Sequence, residues 1–254
     1  MALHVIITAG GELPRELHDF SDARVKALLR VGERTLLESA VAAVAGSALV
    51  DGVAVVGGDE VLRARRSEAA HVEAGKTAVE NLYRGFVHHG GELGDEFLAL
   101  SPDLPFITTA AVEEFVAAAR VESEMAFPVV SAADFREAFP GSTNRFEKLD
   151  GWEATMGSCI YITGQMLKTN IPLFTDFFDA RRRPHKLAAM LGLPIALSYL
   201  TGRTRIAQLE ARAQQLTGGN VKAVSVRNAA LAFDIDKRAD YEYALQHLQR
   251  LGSG

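Results

Sequence analysis

The sequence has one cysteine and no long apolar run. A single cysteine, Cys159, excludes an internal disulfide framework and any cysteine-cluster metal site, and its apolar neighbours favour a buried thiol. The apolar stretch at residues 5–7 is too short for a signal peptide or a membrane span, and no basic segment precedes it. We therefore expect a cytoplasmic protein that has no membrane partner.

The chain also lacks an excess of positive charge, with 27 Lys and Arg against 32 Asp and Glu and a net charge of −5. Nucleic-acid binding uses a broad basic surface, which this composition does not predict, although local cations can still hold a small anion. No repeat, linker or low-complexity tract interrupts the 254 residues. We expect one domain over residues 1–254, with elaborations at about 131–157 and 168–218.

Several motifs of other enzyme classes are missing. The seven histidines occur singly except for His88 and His89, and no His-x-x-x-His spacing or Gly-x-Ser-x-Gly segment occurs. The active site of a zinc enzyme or a serine hydrolase would have to be assembled from residues that show no local sequence signature. The sequence likewise contains neither a Walker A loop nor the fingerprint Gly-x-Gly-x-x-Gly.

Strand and helix patterns alternate along the chain. In the first half, short β-branched runs are followed by apolar residues at helical spacing, which predicts a largely parallel sheet with helices on both faces. The second half is less regular and contains a polar stretch at residues 131–155. The predicted strands are residues 3–8, 52–56, 97–100, 127–130, 159–162 and 221–226. Three helices are predicted to begin just after residues 33, 78 and 111. Three more are predicted over residues 173–191, 205–216 and 241–251.

In such a sheet, ligands bind beyond the carboxyl ends of the strands, which directs attention to the loops at 9–15 and 101–108. Gly10 and Gly11 follow the first strand and would let backbone N–H groups approach phosphate oxygens, although a tight turn explains the pair equally well. Lys26 lies among apolar residues, where burial is costly unless an anion pairs with the ammonium. The alternative is that Lys26 is a solvated surface lysine.

Acidic residues follow two of the predicted strands. Asp103 is the single charge in the apolar segment 98–107, and a carboxylate there suits magnesium, although a turn or capping aspartate is the alternative. Asp234 and Asp236 would share one face of a strand, about 7 Å apart, and would repel each other without a cation or donors between them. Asp240 is interpreted as a first-turn residue of the closing helix.

Taken together, these residues resemble the MobA-like nucleotidyltransferases, which include molybdenum-cofactor guanylyl- and cytidylyltransferases and sugar-phosphate nucleotidyltransferases. The resemblance spans residues 3–248, and residues 75–82 resemble the base-proximal loop of the family with its following helix. The motifs that occur in the family's order are Ala9-Gly10-Gly11, Lys26, Gly32, Asp103-Leu104-Pro105 and Phe233-Asp234-Ile235-Asp236.

The resemblance implies a three-layer α/β/α sandwich with a mostly parallel central sheet, of the nucleotide-diphospho-sugar transferase type. It also implies that an acceptor attacks the α-phosphorus of a nucleoside triphosphate and that pyrophosphate leaves. The implied nucleotide-binding residues are Ala9, Gly10, Gly11, Lys26, Gly75, Thr77 and Asn81. The implied Mg²⁺ ligands are Asp103 and Asp236, with Lys26 and Asp103 as the catalytic pair.

The glycine loop departs from the family pattern. Glu12 occupies the place of its second glycine, and Pro14 lies where its arginine belongs, with Arg15 one position later. A glutamate beside a triphosphate is electrostatically unfavourable unless its side chain points away. A nucleotide-binding regulatory protein without catalysis is therefore an alternative, as is a glycosyltransferase that uses a nucleotide-sugar.

The middle of the chain resembles an uncharacterised bacterial branch of the same group. Arg145, Arg183 and Lys186 would bind an anionic acceptor or pyrophosphate, although the basic run 181–186 also fits a solvated helix end. The expected partners are a nucleoside triphosphate and a small acceptor. The sequence does not specify the base, the acceptor or the oligomeric state.

Overall fold

The structure is a computed structural model that describes residues 1–64, 68–121, 123–149, 151–181 and 183–252. Its strands are β1 (Leu3–Thr8), β2 (Arg30–Val31), β3 (Arg34–Thr35), β4 (Gly52–Gly57), β5 (Ala70–Glu73), β6 (Glu96–Leu100), β7 (Met125–Ser131), β8 (Glu147–Leu149), β9 (Trp152–Met156), β10 (Cys159–Thr163) and β11 (Val221–Val226). Its α-helices are α1 (Leu36–Ala45), α2 (Asp59–Arg63), α3 (Ala78–His88), α4 (Thr109–Arg120), α5 (Ala132–Ala138), α6 (Gly164–Thr169), α7 (Ile171–Ala180), α8 (Pro184–Leu191), α9 (Leu193–Leu200), α10 (Ile206–Thr217) and α11 (Arg238–Gly252).

A large sheet runs through the centre of the molecule in the order β5-β4-β1-β6-β10-β7-β9-β8, and β11 pairs with β7. Strands β5, β4, β1 and β6 run parallel to one another, as do β7 and β11. Strand β10 is antiparallel to both β6 and β7, and so joins the two parallel groups. The predicted α/β fold with a mostly parallel sheet is therefore confirmed.

The sheet is buried on both faces because its side chains alternate between two apolar cores. In β1, Val5 and Ile7 belong to the core shared with α1 and α4. Ile6 points the opposite way, into the core shared with α3 and α6. Successive residues of a strand face opposite sides, so a strand covered on both sides has a continuous apolar sequence.

Threonines begin three of the helices that cover the sheet. The hydroxyls of Thr35, Thr77 and Thr108 each accept a hydrogen bond from a backbone N–H in the first turn of α1, α3 and α4. Such caps satisfy donors that have no partner within the helix. The caps therefore fix where each loop ends and its helix begins. These loops lie at the carboxyl ends of the strands and contain the predicted site residues.

The structure corrects the helix predicted over residues 173–191. Two helices, α7 and α8, occupy this range, and α8 begins with Pro184 at its first position. Proline is favoured at a helix start because it has no N–H to donate, and it disfavours helical backbone in the residue before it. Arg182 of the basic run lies outside the described residues. The polar stretch 131–155 contains α5, β8 and most of β9.

The strand predicted around Asp234 and Asp236 is also wrong, because this segment is an extended loop before α11. Its backbone pairs with the loop after β6, where the Ile235 N–H donates to the Asp103 carbonyl at 3.1 Å. Cys159 is buried, as expected. In the described ranges, no helix is both long enough and apolar enough to cross a membrane.

Candidate active site

The glycine turn after β1 is held against the segment that carries Lys26. Ala9 is buried, and its N–H donates to the Val56 carbonyl at the end of β4. Glu12 forms an isolated antiparallel bridge with Val25, and the Lys26 N–H donates to the Gly11 carbonyl at 2.9 Å. These backbone bonds place the Lys26 side chain beside the turn.

Lys26 bridges two of the predicted acidic residues. Its ammonium donates to Oδ2 of Asp103 and to Oδ1 of Asp236, with both distances 2.7 Å. Only 13% of the Lys26 side chain is exposed, and Asp103 is buried to a similar degree, whereas Asp236 is largely exposed. The structure thus brings together three residues that are widely separated in sequence.

A third carboxylate, Asp234, completes the acidic cluster. Oxygens of Asp103, Asp234 and Asp236 all lie within 4.8 Å of one another. Oδ1 of Asp103 is buried and has no hydrogen-bond partner within the described residues. An unpartnered buried carboxylate oxygen is costly, and carboxylate oxygens are the donors that magnesium prefers. The cluster therefore fits a hard divalent cation.

The charges of the cluster act on one another. Burial alone would lower the pKa of Lys26, but the Asp103 and Asp236 carboxylates outweigh burial and raise this pKa, so the ammonium stays charged. Burial raises the pKa of Asp234 to about 6, and the nearby negative charges of Asp103 and Asp236 act in the same direction. The cluster thus holds more negative charge than Lys26 balances, which favours an added cation.

The predicted base-proximal loop lies next to the glycine turn. The side chain of Asn81, in α3, accepts a hydrogen bond from the Gly75 N–H at 2.7 Å. A Cβ added at Gly10 would lie 3.2 Å from Nδ2 of the same asparagine. Thr77 caps α3. Glu12 is exposed to solvent, and a Cβ added at the neighbouring Gly11 would meet no atom within 4 Å.

The two cations predicted to bind the acceptor occupy different surroundings. Arg145 is exposed, pairs with Glu147 at 3.2 Å and lines a cavity of about 190 Å³ that also contacts Asp234 and Asp236. Lys186 is exposed on α8 and, among the described residues, is not part of the lining of this cavity. The structure thus brings Arg145, but not Lys186, to the cavity at the acidic cluster.

The resemblance does not assign a metal-binding role to Asp234, although the Asp-x-Asp spacing of Asp234 and Asp236 is a usable signal. The prediction that Asp240 is a first-turn residue of the closing helix is confirmed, because its side chain accepts hydrogen bonds from the N–H groups of Asp236 and Lys237. This cap holds the end of the acidic loop at the start of α11.

Comparisons with known proteins agree with the observed fold. A family model for the MobA-like NTP transferase domain matches residues 5–220. No curated protein sequence matches the chain. A hypothetical transferase from Thermus thermophilus is 25% identical, with a TM-score of 0.81, and the match covers 95% of this chain and 100% of that one.

Two further solved structures share the fold at lower identity. The 2-C-methyl-D-erythritol 4-phosphate cytidylyltransferase of Thermus thermophilus is 20% identical with a TM-score of 0.58, and the match covers 98% of this chain and 100% of that chain. A CMP:2-keto-3-deoxy-manno-octonic acid synthetase, solved as a complex with CTP, is 14% identical with a TM-score of 0.63. That match covers 99% of this chain and 100% of the synthetase chain.

Proposed function

Because this chain belongs to the MobA-like NTP transferase domain family, we propose that it transfers a nucleotidyl group from a nucleoside triphosphate to a small acceptor and releases pyrophosphate. The observation that supports this function is the convergence of Lys26 and the carboxylates of Asp103, Asp234 and Asp236 beside the Gly10–Gly11 turn. The convergence joins an anion-binding turn, a buried ammonium and a cation site in one place.

The chain's own groups would bind and orient the triphosphate. The backbone at Gly10 and Gly11 is exposed and open to phosphate oxygens, and Lys26 supplies a fixed positive charge at the turn. Asp103, Asp234 and Asp236 would hold Mg²⁺, which when bound neutralises negative charge on the phosphates. Nucleotidyl transfer depends mainly on positioning and charge neutralisation, and these residues offer both.

The nucleoside would extend from the glycine turn towards α3. Gly75, Thr77 and Asn81 lie on this side, and Asn81 contacts both the turn and the Gly75 loop. We propose that this loop faces the base.

The acceptor would enter through the cavity beside the acidic cluster. The cavity lined by Arg145, Asn144 and Lys237 opens next to Asp234 and Asp236. An in-line displacement places attacking and leaving groups on opposite sides of the phosphorus, which fits a triphosphate at the glycine turn and an acceptor in this cavity. Its volume of about 190 Å³ favours a compact phosphorylated or hydroxylated acceptor. Lys186 on α8 would act only at the far end of a longer acceptor.

Pyrophosphate release tests the proposal. The protein is incubated with each nucleoside triphosphate, Mg²⁺ and a panel of phosphorylated and hydroxylated acceptors. We expect acceptor-dependent pyrophosphate, at least about 100-fold slower in Asp103→Asn because one cation ligand is removed.

The matched control is Asp176→Asn, which neutralises an exposed aspartate on α7. This control should retain the wild-type rate. Unchanged turnover in Asp103→Asn would exclude the acidic cluster as the catalytic centre. Release of a nucleoside diphosphate from a nucleotide-sugar would instead indicate a glycosyltransferase.

A further inference from the structure

The segment from residue 180 to residue 209 has an unusual charge for this chain. It contains six Lys and Arg and no Asp or Glu, although the whole chain has a net charge of −5. The cations precede and follow α9, which is itself uncharged. They are Arg181, Arg182, Arg183, Lys186, Arg203 and Arg205.

Helix α9 also exposes apolar side chains. Leu193 is 69% exposed, Leu197 53% and Leu200 80%, and their spacing of four and three residues puts them on one face. Tyr199, at 52% exposure, adds an aromatic ring with a polar end. We call these four residues, with the exposed cations Arg183, Lys186, Arg203 and Arg205, the α9 surface.

Two side-chain hydroxyls of the same region already donate hydrogen bonds to backbone carbonyls of α9. Oγ of Ser198 donates to the Ile195 carbonyl at 2.8 Å, and Oγ1 of Thr201 donates to the Leu197 carbonyl at 3.0 Å. A protein interface normally carries about one hydrogen bond per 100–200 Å². A hydrocarbon environment instead requires internal satisfaction of polar groups, and these two hydroxyls meet that requirement.

The cations of the α9 surface pair with no acidic side chain among the described residues. Arg183, Lys186, Arg203 and Arg205 form no ion pair in the part of the chain that the structure describes. Exposed acids nearby, Asp176 and Asp179, lie on α7, before the basic segment. Two copies of the chain joined symmetrically by this surface would place like charges together, which disfavours self-association.

We propose that the α9 surface docks on an anionic lipid bilayer. The leucines would enter the boundary between headgroups and acyl chains, Tyr199 would lie at headgroup depth, and the flanking cations would pair with anionic headgroups. This docking is peripheral and requires no membrane-spanning helix, and it departs from the expectation, drawn from the sequence, of no membrane partner. It does not depend on the proposed nucleotidyl transfer.

The α9 surface lies near the proposed acceptor cavity. A Cβ added at Gly202, in the turn after α9, would lie 4.0 Å from Cδ of Lys148 in β8. The preceding residue of β8, Glu147, pairs with Arg145, which lines the cavity. Docking would therefore bring the acceptor side of the molecule close to the lipid surface.

Sedimentation with vesicles tests the proposal on the full chain. We expect binding to vesicles of equal parts phosphatidylcholine and phosphatidylglycerol, and no binding to phosphatidylcholine alone. Binding should weaken as salt rises. The double substitution Arg203→Ala with Arg205→Ala should lower the partition coefficient at least about tenfold, since each cation near the surface contributes about fivefold. Leu197→Ser with Leu200→Ser should also lower it.

The matched control is Val121→Ser with Arg250→Ala, which removes one exposed apolar side chain and one exposed cation elsewhere. We expect wild-type binding from this control, and unchanged circular dichroism and melting from every variant. Absence of binding to the anionic vesicles, or equal loss in the control, would overturn the proposal. So would a dimer in sedimentation equilibrium that Leu197→Ser with Leu200→Ser dissociates, because the occupant would then be a second copy.

Discussion

Lys26 balances part of the charge of three neighbouring carboxylates, so its ammonium stabilises the fold as well as the site. We predict that Lys26→Met lowers the free energy of unfolding by about 1–3 kcal/mol, because carboxylates that are partly buried lose their counter-charge. Added Mg²⁺ should raise the melting temperature of this variant more than that of the wild type, since the ion would replace the missing charge.

Thermal melting with and without Mg²⁺ measures this effect, and Lys222→Met is the control. Lys222 pairs with Glu210 at 3.6 Å near the surface, where a salt bridge contributes at most about 1 kcal/mol. A Lys26→Met protein as stable as the wild type, and indifferent to Mg²⁺, would mean that the carboxylates do not form a charged cluster in solution.

Three of the site residues could be predicted singly from the sequence, because each is a charge in unusual surroundings. Lys26 and Asp103 lie in apolar segments, and Asp236 follows a predicted strand. Their convergence needed the fold, since it depends on backbone pairing between distant loops. Asp234 is not among the Mg²⁺ ligands that the resemblance implies, and its place beside Asp103 depends on a tertiary contact, the hydrogen bond from the Ile235 N–H to the Asp103 carbonyl.

Helix α3 packs closely on β1 through Gly85. A Cβ at this position would lie 2.4 Å from Cγ2 of Ile6, and neither buried element can move aside without disturbing the core. We predict that Gly85→Ala lowers the free energy of unfolding by about 1–3 kcal/mol, even though alanine gains about 1 kcal/mol of helix propensity.

The midpoint of denaturant unfolding measures this loss. Gly94→Ala is the control, because a Cβ at Gly94 meets no atom within 4 Å. Unchanged stability of Gly85→Ala would show that α3 lies further from β1 than the structure has it. The contact also determines where Asn81 meets the glycine turn, so the same substitution should weaken nucleotide binding.

The longer elements of the first half, β1, β4, β6, α1, α3 and α4, could be predicted because each has a clean period and a distinct end. The short elements β2, β3, β5 and α2 have too few residues to show a period. Buried parallel strands have continuous apolar runs, and the amphipathic helices between them have threonine caps. The second half was harder for two physical reasons. Short antiparallel strands such as β8 have exposed polar residues, and the apolar spacing of α7 continues across a break into α8.

At the scale of the whole molecule, the sheet gathers its strand-end loops at one edge, and a ligand bound there would link both parallel strand groups. The β1 and β6 loops supply Lys26 and Asp103, while the loop after β11 supplies Asp234 and Asp236. Such a ligand binds the folded state and not the unfolded state, because the unfolded chain has no preformed cluster. Binding must then appear as a shift in global stability.

We predict that the correct nucleoside triphosphate with Mg²⁺ raises the melting temperature by roughly 5–10 °C at a concentration near 100 times its dissociation constant. This follows from a stabilisation of about 2.7 kcal/mol and a response of about 2–4 °C per kcal/mol for a chain of this size. Scanning the four triphosphates should identify the base. Asp234→Asn should lose most of the Mg²⁺-dependent part of the shift but keep its ligand-free melting temperature within a few degrees. Equal melting-temperature shifts in Asp234→Asn and wild type would place the bound nucleotide away from the acidic cluster. The loops that carry Lys26, Asp103, Asp234 and Asp236 would then bind a different ligand.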